Sequence, residues 1–166
     1  MGFANHRMDN KQEEEVCRVI SAIELSNYVI QKANEAGCSI THLKLQKILY
    51  YIQGTYLAET GDPLFEEPIE AWTYGPVIRD VYVHFVSNGA LSLHVDPHVE
   101  IPKLGISDRM IVDRVLEDKL KYTASELVGA THHEMPWTEH AQEVKKGDKP
   151  IILNDSIRKY FLRNNA

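Results

Sequence analysis

Eight histidines in 166 residues raise the question of a metal centre first. The densest group is His132 and His133, followed by His140. Zinc is held by paired ligands, as in CxxC or in HExxH, where an i, i+4 spacing sets two imidazoles on one helical face. Here His133-Glu134 runs into Met-Pro-Trp, so HExxH is not completed, and Pro136 would break the helix it needs. His94 and His98 lie in a stretch interrupted by prolines. The imidazole at 132 or 133 is expected instead at a helix C-terminus, facing free carbonyls. Nucleophilic chemistry has no better support. There is no G-x-S-x-G elbow, and neither Cys17 nor Cys38 has a histidine near it in sequence. Glu66, Glu67 and Glu70 surround Pro68 and read as a solvated acidic rim rather than an acid–base pair. Walker A and GxGxxG patterns are absent, so neither catalysis nor a cofactor is expected.

Two groups of aromatic residues beside turns remain. One is Trp72, Tyr74, Gly75, Pro76 and Val77; the other is His132, Pro136 and Trp137. Tryptophans next to turns act in one of two ways. They lock the turn, with the indole N–H capping a carbonyl, or they anchor an interface, where Trp and Tyr bury large area at small entropic cost.

The elements that must position these residues centre on 41–61, THLKLQKILYYIQGTYLAETG. Leu45, Ile48, Leu49, Ile52 and Tyr56 fall at helical spacing on one apolar stripe, and Leu43, Tyr50, Tyr51 and Leu57 widen it. Thr41 is placed to cap the N-terminus and Gly61 to stop the helix. The polar insertions Lys44, Gln46, Lys47 and Gln53 are the first candidates for a partner-facing surface. Upstream, Ser21 and Glu24 form a capping box, with Ile20 and Leu25 as its staple, and predict a helix over 22–36. Downstream, 69–74 reads as a short strand and Gly75-Pro76 as a turn into a helix over 76–87, with proline at its first position. The stretch 90–106 reads as an irregular loop with one short strand. Ser107 is expected to cap a helix over 108–121. Thr123 and Glu126 form a second capping box for a helix ending near 132, Pro136 restarts one through 144, and Asn154 or Asp155 caps a last helix through 162. The expectation is a mainly α fold: a single compact helical domain of about seven helices, with a small β element near 69–74.

The length suits one domain over 16–166, and the residues of 1–15 read as a disordered tail. A net charge of −6 argues against bulk attraction to phosphate. A helix-turn-helix built from the first two helices has the short connection it needs, but its second helix is too apolar for a groove. The chain lacks an apolar run long enough to span a membrane, and its start lacks a signal-peptide core. Two cysteines without a CxxC suit a cytoplasmic protein.

The stretch KLQKILYYIQGTYLAETGDPLFEEPIEAWTYGPVIRDVYVHF resembles the Panacea domain, the SocA-like or phage-associated antitoxin domain. Its pattern combines a K-L-Q-K-L-x-Y-Y helix, a P-L-F/I-x-A-W turn and a Y-G-P-V segment. Thr131-His132 and Pro136-Trp137 match its later block, and Ile48 stands where leucine is commoner. The resemblance covers about 22–143. It implies a non-enzymatic antitoxin that binds and neutralises a cognate protein toxin encoded by an adjacent gene, with delivery of the toxin to a protease as a second route. Regulation of its own operon through DNA is the alternative. The residues carried over as partner-binding are Gln46, Lys47, Tyr50, Trp72, Tyr74, Gly75, Pro76, Val77, His132, Pro136 and Trp137, with Leu45 and Tyr50 expected nearest the core.

Overall fold

The computed structural model describes residues 19–164; the expected tail and Cys17 lie outside them. The fold is mainly α, with helices α1 (Ala22–Glu35), α2 (His42–Thr60), α3 (Arg79–Phe85), α4 (Ile106–Lys119), α5 (Ala124–Thr131), α6 (Met135–Thr138), α7 (Ala141–Lys145) and α8 (Asn154–Asn164). Three short strands, β1 (Ile69–Trp72), β2 (Gly75–Ile78) and β3 (Ile151–Ile152), form one antiparallel sheet in the order β2-β1-β3.

The central helix forms as its caps dictate. The Thr41 hydroxyl accepts the Lys44 N–H, and Gly61 stops α2 in the left-handed region at φ 86°. Leu45, Ile48, Leu49 and Ile52 are fully buried, and α1, α4, α5, α8 and β2 all pack on this helix. Glycine at 54 is what lets α8 come so close: a Cβ built there would lie 2.3 Å from the Phe161 ring. Both capping boxes are formed, Ser21 with Glu24 on α1 and Thr123 with Glu126 on α5. One buried side chain ties the loop between α3 and α4 to α1. The Asn27 amide donates to the carbonyls of Asp96 (2.9 Å) and Val99 (2.8 Å), and its oxygen accepts the Asp96 N–H.

Four expectations are corrected. Gly75-Pro76 does not open a helix; it lies in β2, and α3 begins only at Arg79. Pro76 pairs with Ala71, whose own N–H points away to the Pro150 carbonyl, so Pro76 faces outward on an edge strand where an N–H is not required. The stretch from Pro136 breaks into α6 and α7 at Glu139-His140. Helix α4 starts before Ser107, with Gly105 at its N-cap. The 90–106 loop holds an isolated bridge, Thr41 to Ser92, in place of a strand.

Candidate functional site: a clamped hairpin and its aromatic pocket

The hairpin joining β1 to β2 turns at Thr73-Tyr74, and side chains from three helices grip it. From α2, Gln46 and Lys47 point inward, fully or almost fully buried. The Gln46 amide donates to the Ile78 carbonyl (3.2 Å) and accepts the Ile78 N–H (2.8 Å), pairing with the strand edge as another strand would. The Lys47 ammonium donates to the Pro76 carbonyl at 2.8 Å. Together these satisfy the outward backbone groups of β2, the unpaired edge that sheets otherwise have to protect.

From the α5–α6 corner, His132 and Trp137 hold the tip. The Trp137 indole N–H donates to the Trp72 carbonyl at 2.8 Å, and His132 Nε2 lies 2.9 Å from the Thr73 carbonyl. Their rings pack with centroids 4.2 Å apart. His133 Nδ1 meets the Gly129 carbonyl at 2.8 Å, as expected of an imidazole at a helix end. Thr131 closes the corner. Its Oγ1 would lie 2.6 Å from a Cβ on Gly75, and the Lys47 Cε 2.9 Å from it. Gly75 also has φ +104°, so both its conformation and its surroundings require glycine.

The clamp is electrostatically unusual. Burial pushes the Lys47 ammonium down to about 7. Burial, then the Lys47 charge, lowers the nearby His42 imidazole, whose ring nitrogens are both buried without a hydrogen-bond partner. His42 shares a cavity of about 340 Å³ with Trp72, Tyr74, Val77, Tyr82 and Lys149. Trp72 is the wall between this cavity and the sheet: its indole N–H donates to Glu70 (3.0 Å), with Lys149 Nζ 4.1 Å and Arg79 Cζ 5.4 Å from its ring.

The residues predicted from sequence thus divide. Gln46, Lys47, Tyr50, Gly75, Pro76, Val77 and Pro136 are buried, and the side chains of Gln46 and Lys47 are engaged inside the protein. Of the four polar insertions of α2 that were candidates for a partner-facing surface, Gln46, Lys47 and Gln53 are thus internal, and Lys44 is half-buried. Gln53 likewise turns inward, its amide bonded to the backbone of Leu64 and Phe65, and Lys44 reaches the Leu120 carbonyl. Burial of α2 from Leu45 to Gly54 also removes it as a free recognition helix. Trp72, His132 and Trp137 are half-buried, and Tyr74 is 65% exposed. His42, Tyr82, Thr131 and Lys149 were not singled out as site residues, because only tertiary contact brings them to the hairpin. Among the described residues, no group of three or more His, Cys, Asp or Glu side chains is placed to hold a metal ion, and no helix is long and apolar enough to cross a membrane.

The clamp draws together, in space, the three sequence blocks that lie within residues 45–138. Over that span the chain matches the family model described as "Antitoxin SocA-like, Panacea domain". The chain belongs to this family. The Panacea motifs are accordingly read as the parts of one hairpin clamp: the α2 block caps the β2 edge, the glycine makes room, and the α5–α6 block holds the tip. Among curated proteins, the chain is similar to "Antitoxin SocA" of Caulobacter vibrioides (strain NA1000 / CB15N), 32% identical over 123 residues, covering 68% of this chain and 65% of that protein. No solved structure matches it.

Proposed function

We propose that this protein is a non-enzymatic antitoxin that neutralises a cognate protein toxin by direct contact. The hairpin tip and its adjoining aromatic pocket would be the contact surface. Membership of the SocA-like family and the similarity to a protein named an antitoxin support the class of function. One observation carries the choice of surface. Gln46, Lys47, His132 and Trp137 all spend their hydrogen bonds fixing a single hairpin whose Tyr74 projects outward beside a 340 Å³ pocket. A rigid aromatic projection beside a cavity is the usual make-up of a binding hot spot, since little entropy is left to lose. Occlusion of the toxin is the route this rigidity suits.

The test is growth of cells expressing the protein encoded next to this chain, with and without this chain. Restored growth with the wild type, lost with Tyr74→Ala although the variant is folded and equally abundant, is the expected result. Arrest that persists in the presence of the wild type sinks the antitoxin reading. Rescue that Tyr74→Ala leaves intact moves the surface elsewhere. A toxin half-life that shortens only when this chain and a protease are both present would assign delivery rather than occlusion.

A further inference from the structure

A second cavity, about 550 Å³, opens between α2, α4 and α8, away from the hairpin. Glu134, just before α6, is 8% exposed and lines it. One carboxyl oxygen accepts the Tyr51 hydroxyl at 3.0 Å. The other, Oε1, is buried and makes no hydrogen bond of good geometry, its neighbours being the equally unpartnered Tyr50 hydroxyl and the Tyr160 hydroxyl. Aromatic rings form the wall beside it, Tyr51 and Tyr160 with centroids 6.0 Å and 5.6 Å from that of Phe161. The remaining charges at the rim are already matched, Arg114 with Glu59 and Lys119 with Asp118 (3.1 Å). What is left is one buried carboxylate oxygen facing the hydroxyls of Tyr50 and Tyr160 and the aromatic wall, with no cation fully engaged on it.

We propose that this cavity binds an organic cation, an alkylammonium or guanidinium group, held between the Glu134 carboxylate and the faces of Tyr51 and Tyr160. A buried carboxylate supplies a charge-assisted acceptor for such a group, and aromatic faces attract it through their quadrupoles. The chain itself illustrates the preference: the Lys119 ammonium sits 4.3 Å from the Tyr51 ring centroid. Lys119, already paired with Asp118, is then a resident competitor for the ring, and an arriving cation displaces it from the Tyr51 face. The carboxyl is pushed up to about 7 by burial, so binding near neutrality also releases a proton.

The test titrates the full chain with L-argininamide, with n-butylammonium chloride and with a blocked peptide carrying one central arginine, against matched potassium chloride. Calorimetry in two buffers of different ionisation enthalpy reads binding and proton release. The expected result is saturable binding of at least one cation, weakened about ten-fold or more by Glu134→Gln and strengthened by Lys119→Met. Both variants are first checked for wild-type circular dichroism and a cooperative thermal transition. Binding of the peptide but not the free amines assigns the cation to a partner polypeptide; binding of the free amines alone assigns a small molecule. The absence of saturable binding to folded wild type overturns the proposal, as does unchanged affinity in a folded Glu134→Gln. The toxin does not enter this experiment, so its outcome is separate from that of the antitoxin reading.

Discussion

The Trp137 indole N–H donates to the Trp72 carbonyl at 2.8 Å, joining positions 65 residues apart in sequence. Through this contact one tryptophan fixes the backbone of the other, so the two are one device rather than two independent aromatic sites. Phenylalanine at 137 retains a ring against His132 but leaves the Trp72 carbonyl without its donor. Losing one partner of a sheltered hydrogen bond costs about 1–3 kcal/mol. Trp137→Phe should lower the urea midpoint accordingly, and hydrogen exchange should quicken at the amides of 70–77 before it does in α2.

Gly75→Ala should be more damaging. The added methyl enters a region of positive φ and meets Thr131 Oγ1 at 2.6 Å and Lys47 Cε at 2.9 Å. Backbone strain and overpacking together imply a loss of about 2–4 kcal/mol. Chemical denaturation reads it directly; a loss under about 0.5 kcal/mol would mean that the hairpin relaxes freely and is no clamp.

Tyr74→Ala offers the contrasting case. A side chain 65% exposed at a turn contributes little to folding, so stability should stay within about 0.5 kcal/mol of wild type. Binding to the toxin should fall by about 2 kcal/mol or more if the tip is an anchor. Calorimetry with the purified pair would separate the two quantities in a way that no buried motif residue allows.

Two buried groups should give the stability curve an unusual shape. Burial pushes the Glu134 carboxyl from an ordinary 4.5 up to about 7, against the opposing effects of the Tyr51 hydroxyl and the Lys119 charge. Tyr50 on α2 and Tyr160 on α8 also face it. The folded chain holds this proton more tightly than the unfolded chain. Its contribution is therefore fully present below about pH 4.5 and is lost as pH rises through about 7. Lys47 behaves oppositely: its ordinary 10.5 falls to about 7, so the folded chain gives up the proton first and stability is gained from about pH 7 to 10.5. These two groups together place a minimum near neutrality, the acid limb amounting to about 3 kcal/mol and the alkaline limb to at most about 5 kcal/mol. Glu134→Gln should flatten the acid limb alone and Lys47→Met the alkaline limb alone, measured as urea midpoints from pH 5 to 10.

Gly54→Ala tests the seam between α2 and α8. The methyl would fall 2.3 Å from the Phe161 ring, so the helices must part or the ring must turn, for a loss of about 1–3 kcal/mol. Phe161→Leu makes room. The double variant should be more stable than the sum of the single losses predicts, and a purely additive double-mutant cycle would deny the contact.

Much of this fold is written locally. The capping boxes at Ser21 and Thr123, the Thr41 cap and the Gly61 stop are each decided within a few residues, and each appears where spacing predicts it. The start of α3 is different. Gly75-Pro76 has the local signature of a helix entry, and what overrules it is Gln46, 32 residues away, whose amide satisfies Ile78 as a strand partner would. Likewise β3 exists because Ile151 and Ile152 find Glu70 and Ile69, a pairing that a two-residue apolar run cannot announce. The candidate site was legible as residue types but not as roles. A glutamine and a lysine on a helix look like surface until the backbone they serve is in place, and His42 carried no signal beyond being one histidine among eight.

The side chains that close the β2 edge also determine how the molecule would fail. Strand edges are adhesive because their N–H and C=O groups accept any extended chain, and here that role is filled internally by Gln46 and Lys47. A variant such as Gln46→Glu keeps a polar side chain of the same length but can no longer donate to Ile78. The edge it uncovers has no preference between the chain's own helix and a neighbouring molecule. Lost neutralisation in such a variant would then arise from self-association in the cell, seen as concentration-dependent light scattering, rather than from a missing contact with the toxin.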